Sequence, residues 1–260
     1  MSKLKVTAVS YLNTKPFLYG LLNHPIQSQI DLSLDIPSRC AEKLQDGSVD
    51  IGLVPVAVIP YLDTPHIVSD YCIGSDGPVK TVCIFANQPI EETEELLLDY
   101  HSRTSVQLAQ ILLRKYWNIQ PRISAAQPGF EYHLRSGQAA VVIGDRTIEL
   151  FDQYTYTYDL STAWKDLTGL PFVFAAWVSN RPLDKDFIRQ FNKALQMGLA
   201  HIPQLIYLLP TPANQAFDLH TYFTQYISYD LSPQKRKALK LFLKELSNNQ
   251  LQSSLLQSLA

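Results

Sequence analysis

Short apolar runs alternate with helix-length segments through the first third of this 260-residue chain, and that alternation restricts the fold more than any other feature. Leu4 to Ala8 predicts a first strand. Leu32 to Ile36 predicts a second, closed by Pro37, and Val49 to Val54 a third, ended by Pro55. Between the second and third, Ser38 is placed to cap a helix over residues 39–45, with Gly47 as its stop. Strand, helix and strand in that order call for βαβ units and a largely parallel sheet. Ile67 to Ile73 and Lys80 to Phe85 add two strands, separated by Gly74-Ser75-Asp76-Gly77-Pro78, a turn by composition.

The pattern changes after Phe85. An acidic stretch without strand periodicity, Gln88 to Glu95, precedes a second α/β set. That set has strands at Leu96–Tyr100, Arg122–Ala125 and Ala139–Gly144, a helix from about Ser105 to Trp117, and a helix over 161–168 stopped by Gly169. Phe172 to Val178 is a strongly apolar strand, and everything from Asp184 onward looks helical. No Gly/Pro-rich linker separates the sets, so the expectation is an α/β fold of two interwoven lobes. Lobe I takes residues 1–86 and 173–260, including the helical C-terminal segment, and lobe II takes 87–172. Two crossings, near Phe85 and Phe172, form a hinge with a ligand cleft between the lobes. In the tail, Phe187, Phe191 and Leu195 make a core-facing stripe that docks on lobe I. Lys235, Arg236, Lys237, Lys240 and Lys244 read as the wet side of an amphipathic helix.

Charge narrows the partners. A formal net charge of −2 provides no basic face for nucleic acid or an anionic membrane. No run is long enough to span a bilayer, and the N-terminus enters a strand at once without a signal core, so a cytoplasmic location is expected. Cys40, Cys72 and Cys83 form no CxxC pair and fit a reducing compartment. There is no Gly-rich phosphate fingerprint, HExxH, GxSxG elbow or carboxylate cluster, so neither a cofactor nor a metal is expected. Of the six histidines only His101 lies in a candidate loop.

Those loops sit where strands end, the usual ligand position in an open α/β sheet. Val9-Ser10-Tyr11-Leu12-Asn13-Thr14-Lys15-Pro16-Phe17 offers hydroxyls, a phenol and an amide ahead of a proline suited to the first helical position. Its plain reading is a turn in which Thr14 caps the helix and Asn13 eases a bend. His101-Ser102-Arg103-Thr104-Ser105 combines hydroxyls, an arginine and unpaired helix N–H groups, an anion site in kind. Its plain reading is a cap by Ser102 or Thr104. Ser38-Arg39, the Gly74 to Pro78 turn and Gly144-Asp145 repeat the theme, with Tyr11, Phe17 and Trp177 available as walls.

The words in these loops resemble those of a known family. Ser10-Tyr11-Leu12-Asn13-Thr14-Lys15-Pro16, Ile36-Pro37-Ser38-Arg39, Asp50 to Pro55 and Ile73 to Val79 are similar to signatures of the chorismate dehydratases of the futalosine route to menaquinone. Ser102-Arg103-Thr104-Ser105, Ile143-Gly144-Asp145 and Leu167 to Val173 extend the likeness in register as far as about residue 178. The resemblance implies a fold like a type II periplasmic binding protein. It also implies elimination of water from chorismate to give 3-[(1-carboxyvinyl)oxy]benzoate, without a cofactor. It puts the family's active-site asparagine at Asn13 and a second polar contributor at Ser75. An amide is a poor base, so Asn13 is assigned to orientation, and the substrate's own enolpyruvyl carboxylate to the proton. Asp76 and Asp145 are the protein alternatives. Ser10, Tyr11, Thr14, Ser38, Arg39, Ser102, Arg103, Thr104, Ser105, Gly144 and Asp145 are the expected binding residues. Other readings are the sister 1,4-dihydroxy-6-naphthoate synthase and a non-catalytic small-anion binder. Monomer and homodimer both remain open.

Overall fold

The computed structural model describes residues 3–210, 212, 214 and 217–258, with 249–258 as backbone alone. The chain opens β1 (Leu4–Val9), α1 (Lys15–Asn23), β2 (Ile30–Asp35), α2 (Pro37–Gln45), β3 (Ile51–Pro55) and β4 (His66–Ser75). It continues β5 (Val82–Ala86), β6 (Glu95–Leu98), α3 (Thr104–Lys115), β7 (Arg122–Ala125), β8 (Gln138–Ile143), α4 (Thr147–Leu150), β9 (Tyr156–Asp159) and α5 (Leu160–Thr168). It closes with β10 (Phe172–Ser179), α6 (Lys185–Ala200), α7 (Ile202–Ile206), α8 (Leu219–Thr221), β11 (Ser228–Asp230) and α9 (Pro233–Ser258).

These strands form two sheets, ordered β11-β4-β10-β3-β1-β2 and β7-β6-β8-β5-β9. Both are mixed rather than largely parallel. The βαβ units give parallel pairs, β1 with β2 and β3, and β6 with β7 and β8. The strands that arrive by a crossing, β5 and β10, pair antiparallel with their neighbours. Pairing also moves the expected boundary. Val82–Ala86 belongs to the second sheet, with Cys83 opposite Val142 on one side and Asp159 on the other. The first crossing is therefore the short stretch after Ser75. Asp159 holds its far end, accepting the N–H groups of Val79 (2.8 Å) and Lys80 (2.7 Å), while its other oxygen caps α5 at Ser161 and Thr162. The chain returns after α5, which Gly169 ends in the left-handed region (φ +70°) as its position predicts.

Every residue of β10 is buried, as expected of an inner strand covered on both faces. Phe17 and Trp177 lie in this core, with Trp177 packed edge-on to Phe191 of α6, so neither serves as a cleft wall. The stripe of Phe187, Phe191 and Leu195 is buried as expected. It brings α6 so close to α1 that a Cβ on Gly20 would lie 1.9 Å from the Ala194 carbonyl oxygen, and one on Gly198 the same distance from that of Pro16. That contact fixes the start of α1, and with it the Tyr11–Thr14 loop.

The tail departs from expectation in three ways. It contributes a strand, β11, to the edge of the first sheet. Its last helix also touches the second lobe, through an ion pair between Lys115 of α3 and Glu245. Third, Lys235 is buried rather than wet (2 % exposed), while Arg236, Lys237, Lys240 and Lys244 are exposed. Its ammonium donates to the carbonyls of Ser228 (2.8 Å) and Asp230 (2.6 Å), to Ser228 Oγ and to the Asp230 carboxylate, which offsets the desolvation of the charge. Its stem crosses Gly74, where a Cβ would collide with the Phe172 carbonyl at 2.6 Å. Among the described residues no helix is long and apolar enough to cross a membrane.

Candidate functional site

Between the sheets lies a cleft enclosing about 520 Å³, counting the part open to solvent. Apolar side chains such as Val9, Pro55, Ile73 and Phe174 form much of its wall. Its polar groups are neutral: Tyr11, Asn13, Thr81, Ser102, Thr104 and Ser105. Among the described residues no Lys, Arg, His, Asp or Glu side chain lines it.

The loop after β1 makes the floor and reaches across to the second lobe. Tyr11 Oη lies 2.7 Å from His101 Nδ1, and the Tyr11 ring presses on Gly144, whose φ of +73° and missing Cβ leave it room. Burial, with the Asp99 charge added, pushes the Tyr11 phenol above its usual range, so it stays protonated. Burial and the Arg146 charge hold the His101 imidazole below its ordinary value. The Leu12 N–H donates to both Asp145 oxygens, at 3.0 and 3.1 Å. Next in the chain is Asn13. Its carbonyl accepts from Tyr229 Oη (3.0 Å) and its Oδ1 from Thr14 Oγ1 (3.1 Å), so Thr14 braces Asn13 instead of capping α1.

The loop before α3 makes the opposite wall. Ser102 Oγ accepts the Ser105 N–H at 3.0 Å, the cap that its position predicts. Thr104 Oγ1 donates to the Phe174 carbonyl (3.0 Å) and accepts the Ala57 N–H (3.2 Å), joining α3 to the first lobe. Ser38 gives its N–H to the His101 carbonyl (3.2 Å), and its hydroxyl caps nothing. Behind this wall Arg146 is clamped between two buried carboxylates, Asp99 and Glu131. Asp99 also receives the N–H groups of His101 (2.9 Å) and Ile143 (3.0 Å), tying both second-lobe loops to one point.

Several expected site residues fall elsewhere. Arg39 and Arg103 turn outward to Glu42, at 2.9 and 3.7 Å, as half-exposed pairs worth little energetically. Asp76 is exposed and paired with Lys165 at 2.8 Å, outside the cleft lining. Ser10 is exposed at the loop's start. Ser75 is fully buried with its hydroxyl on Ser161, and it is not part of the cleft lining, although Ile73 of the same strand is. Asp145 sits beside the lining through Gly144. Thr81, Tyr222 and Tyr229 were not anticipated. Thr81 stands at a strand start after a turn, a detectable position, whereas the two tyrosines arrive from a tail more than 200 residues away in sequence.

The family model described as menaquinone biosynthesis matches residues 4–248. The chain belongs to that menaquinone-biosynthesis family. Among its relatives is the chorismate dehydratase of Thermus thermophilus, 26% identical over 190 residues, or 65% of this chain and 69% of that protein. The chorismate dehydratase of Campylobacter jejuni is 32% identical over 111 residues, 40% of this chain and 47% of that one. Solved structures share the fold. An Archaeoglobus fulgidus protein superposes with a TM-score of 0.73 at 14% identity, covering 96% of this chain and 98% of that one. The periplasmic aliphatic sulphonate binding protein of Escherichia coli gives 0.59 at 15%, covering 96% and 94%. The architecture of this family member is thus the periplasmic-binding-protein fold.

One carboxyl at the family member's lobe interface is held above the usual carboxylate range. Burial pushes the Asp145 carboxyl up from 3.8 to about 6, against the opposing pull of the Leu12 N–H and of Lys15. A carboxyl raised on folding stabilises the fold below its unfolded value, and that contribution is lost as pH rises through about 6. Above that, the ionised carboxylate costs on the order of 2–3 kcal/mol relative to a neutral acceptor. Asp145→Asn keeps an oxygen for the Leu12 N–H. It is expected to melt above the parent at pH 8 and together with it at pH 4, measured by thermal denaturation.

Proposed function

We infer that the chain is a chorismate dehydratase of the futalosine route to menaquinone, converting chorismate to 3-[(1-carboxyvinyl)oxy]benzoate in the cytoplasm. The observation that carries this reading, beside the family, is a cleft of neutral hydroxyls and one amide, Asn13, with no charged side chain in its lining. In the reaction the C3–H bond breaks and its electron pair becomes the C3–C4 π bond. The C4–O bond breaks as hydroxide leaves, and aromatisation of the ring drives the step. Proton and hydroxide together make the released water.

Each need has a match. One substrate carboxylate suits the N-terminal turn of α3, where helix N–H groups and the Ser102 and Ser105 hydroxyls favour an anion. Arg39 and Arg103 take no part in this reading, because they face Glu42. Neutral donors leave a bound carboxylate more basic than an arginine would, which suits the substrate's enolpyruvyl carboxylate as the base. Asp76 is displaced from that role by its pairing with Lys165. Asn13 offers a hydrogen bond to the departing hydroxyl. Closure of the lobes through Tyr11–His101 and Leu12–Asp145 removes water from the reacting geometry.

Incubating the purified protein with chorismate and following the products by mass spectrometry tests the reading. The expected product is 3-[(1-carboxyvinyl)oxy]benzoate, formed without added metal or nucleotide. Tight chorismate binding with no product would replace this reading with a non-catalytic anion binder.

A further inference from the structure

One helix grips the first crossing along its whole length. Ser75, the last residue of β4, has its hydroxyl against that of Ser161 in the first turn of α5. Asp76 pairs with Lys165 one turn further along the same helix, at 2.8 Å. Asp159 caps α5 with one carboxylate oxygen and accepts the N–H groups of Val79 and Lys80 with the other, at 2.8 and 2.7 Å. The helix also reaches the return crossing, where Trp164 Nε1 donates to the Pro171 carbonyl at 3.1 Å.

Between those anchors the backbone takes two left-handed steps, at Gly77 (φ +127°) and Lys80 (φ +65°). Glycine does so at no steric cost, whereas the Cβ of a lysine crowds the following carbonyl oxygen. Among the described residues the only other non-glycine with a positive φ is Asn118, and asparagine tolerates that conformation. Lys80 is held there from both of its ends. Its N–H is on Asp159, and its ammonium lies over the Phe151 and Tyr226 rings, 5.7 and 5.8 Å from their centres. The residues on either side of it, Val79 and Thr81, line the cleft, and Thr81 Oγ1 lies 3.0 Å from Tyr222 Oη. Releasing Lys80 to ordinary right-handed or extended backbone would redirect both neighbours and pull the Thr81 hydroxyl off Tyr222.

We propose that Asp159 is a positioning residue: its carboxylate pins Lys80 in the left-handed region and so sets Val79 and Thr81 as cleft wall. The turn stands on these contacts alone, whereas its effect on turnover rests on the elimination reaction inferred above.

Two readouts keep those apart: the Thr81 methyl resonance for the wall, and KM for chorismate. Asp159→Asn leaves one oxygen, enough for the α5 cap that asparagine commonly makes, and takes the acceptor from Val79 and Lys80. The Thr81 methyl is expected to move, and KM to rise about tenfold from misplacement of the wall. Adding Lys80→Gly removes the strain that Asp159 opposes. The double variant is therefore expected to return the methyl towards its parent position and KM to within about threefold of the parent, whereas Lys80→Gly alone alters KM less than about twofold. A residue that merely capped α5 would show no such recovery, so losses that simply multiply overturn the proposal. An unmoved Thr81 methyl in folded Asp159→Asn does the same, as does a moved methyl with KM unaltered. Should Asp159→Asn fail to fold, Lys80→Val decides. It keeps Asp159 and the cap but sets a β-branched residue against left-handed backbone, and it is expected to move the methyl and raise KM about tenfold. Parent-like values for Lys80→Val overturn the proposal. If the parent itself makes no product, the functional reading falls and the methyl resonance still decides the turn.

Discussion

Asn13→Ala is expected to fold like the parent, bind chorismate within about fivefold of its affinity, and lose about a hundred- to a thousandfold in kcat. The fold survives because the variant keeps what matters structurally at this position. The Asn13 carbonyl that accepts from Tyr229 is main chain and remains, as do the Tyr11–His101 and Leu12–Asp145 bonds on either side. What disappears is a carboxamide in a cleft with no charged side chain in its lining to take over. Loss of a single preorganised donor at developing negative charge costs about 2.7–4 kcal/mol in barrier height, and an enclosed, weakly polar cavity works against water as a substitute. Single-turnover rates with saturating chorismate, set beside equilibrium binding, separate the two parameters. Parent-like turnover would return Asn13 to the role of a bend residue. Asn13→Asp is a sharper probe, since it puts a carboxylate against a doubly anionic substrate and should raise KM as well as lower kcat.

Much of this arrangement is legible in the chain itself, and the remainder is hidden for identifiable reasons. Local chemistry announces itself. Ser102 caps α3, Gly169 ends α5 in the left-handed region, and β10 is apolar from Phe172 to Val178 because both its faces are covered. Sheet membership is harder. Val82–Ala86 has a strand pattern wherever it pairs, and only the partners Val142 and Asp159 place it past the crossing. Side-chain direction is not encoded by proximity. Arg39 and Arg103 stand next to cap hydroxyls in sequence, yet their guanidiniums turn to Glu42, and Asp76 turns to Lys165. Lys235 belongs to a charged helical run, and only the fold of Ser228 to Asp230 around its ammonium makes it a buried residue. Tyr222 and Tyr229 reach the site through tertiary packing of the tail, which no periodicity records.

Arg146→Ala is expected to have the largest effect on stability of any single change near the cleft. The guanidinium bridges the Asp99 carboxylate on one side and Glu131 on the other, at 2.8 Å for the latter, with those carboxylates essentially inaccessible to water. Its guanidinium carbon lies over the Tyr100 and Phe130 rings, 5.9 and 6.0 Å from their centres, adding a cation–π attraction. Burial alone would lower the Arg146 pKa, but the two ion pairs outweigh it and hold the group firmly charged. Removing the cation leaves two unpaired buried charges, which costs about 3–5 kcal/mol. For a protein of this size that is a fall in Tm on the order of 10 °C. Arg146→Lys should recover part of the loss, since it restores charge without the two-pronged fork. The deficit of the alanine variant should also shrink as the buffer is made more acidic, because protonation relieves the stranded carboxylates. A deficit that ignored pH would mean that packing against Tyr100 and Phe130, rather than charge, is what Arg146 supplies. Asp99 turns this stability effect into one on the site. It holds the N–H groups of His101 and Ile143 while paired with Arg146, so loosening it frees both loops that face Tyr11. Below its lowered melting point the variant should therefore show a raised KM for chorismate, with the cleft wall present but no longer held in register with the floor.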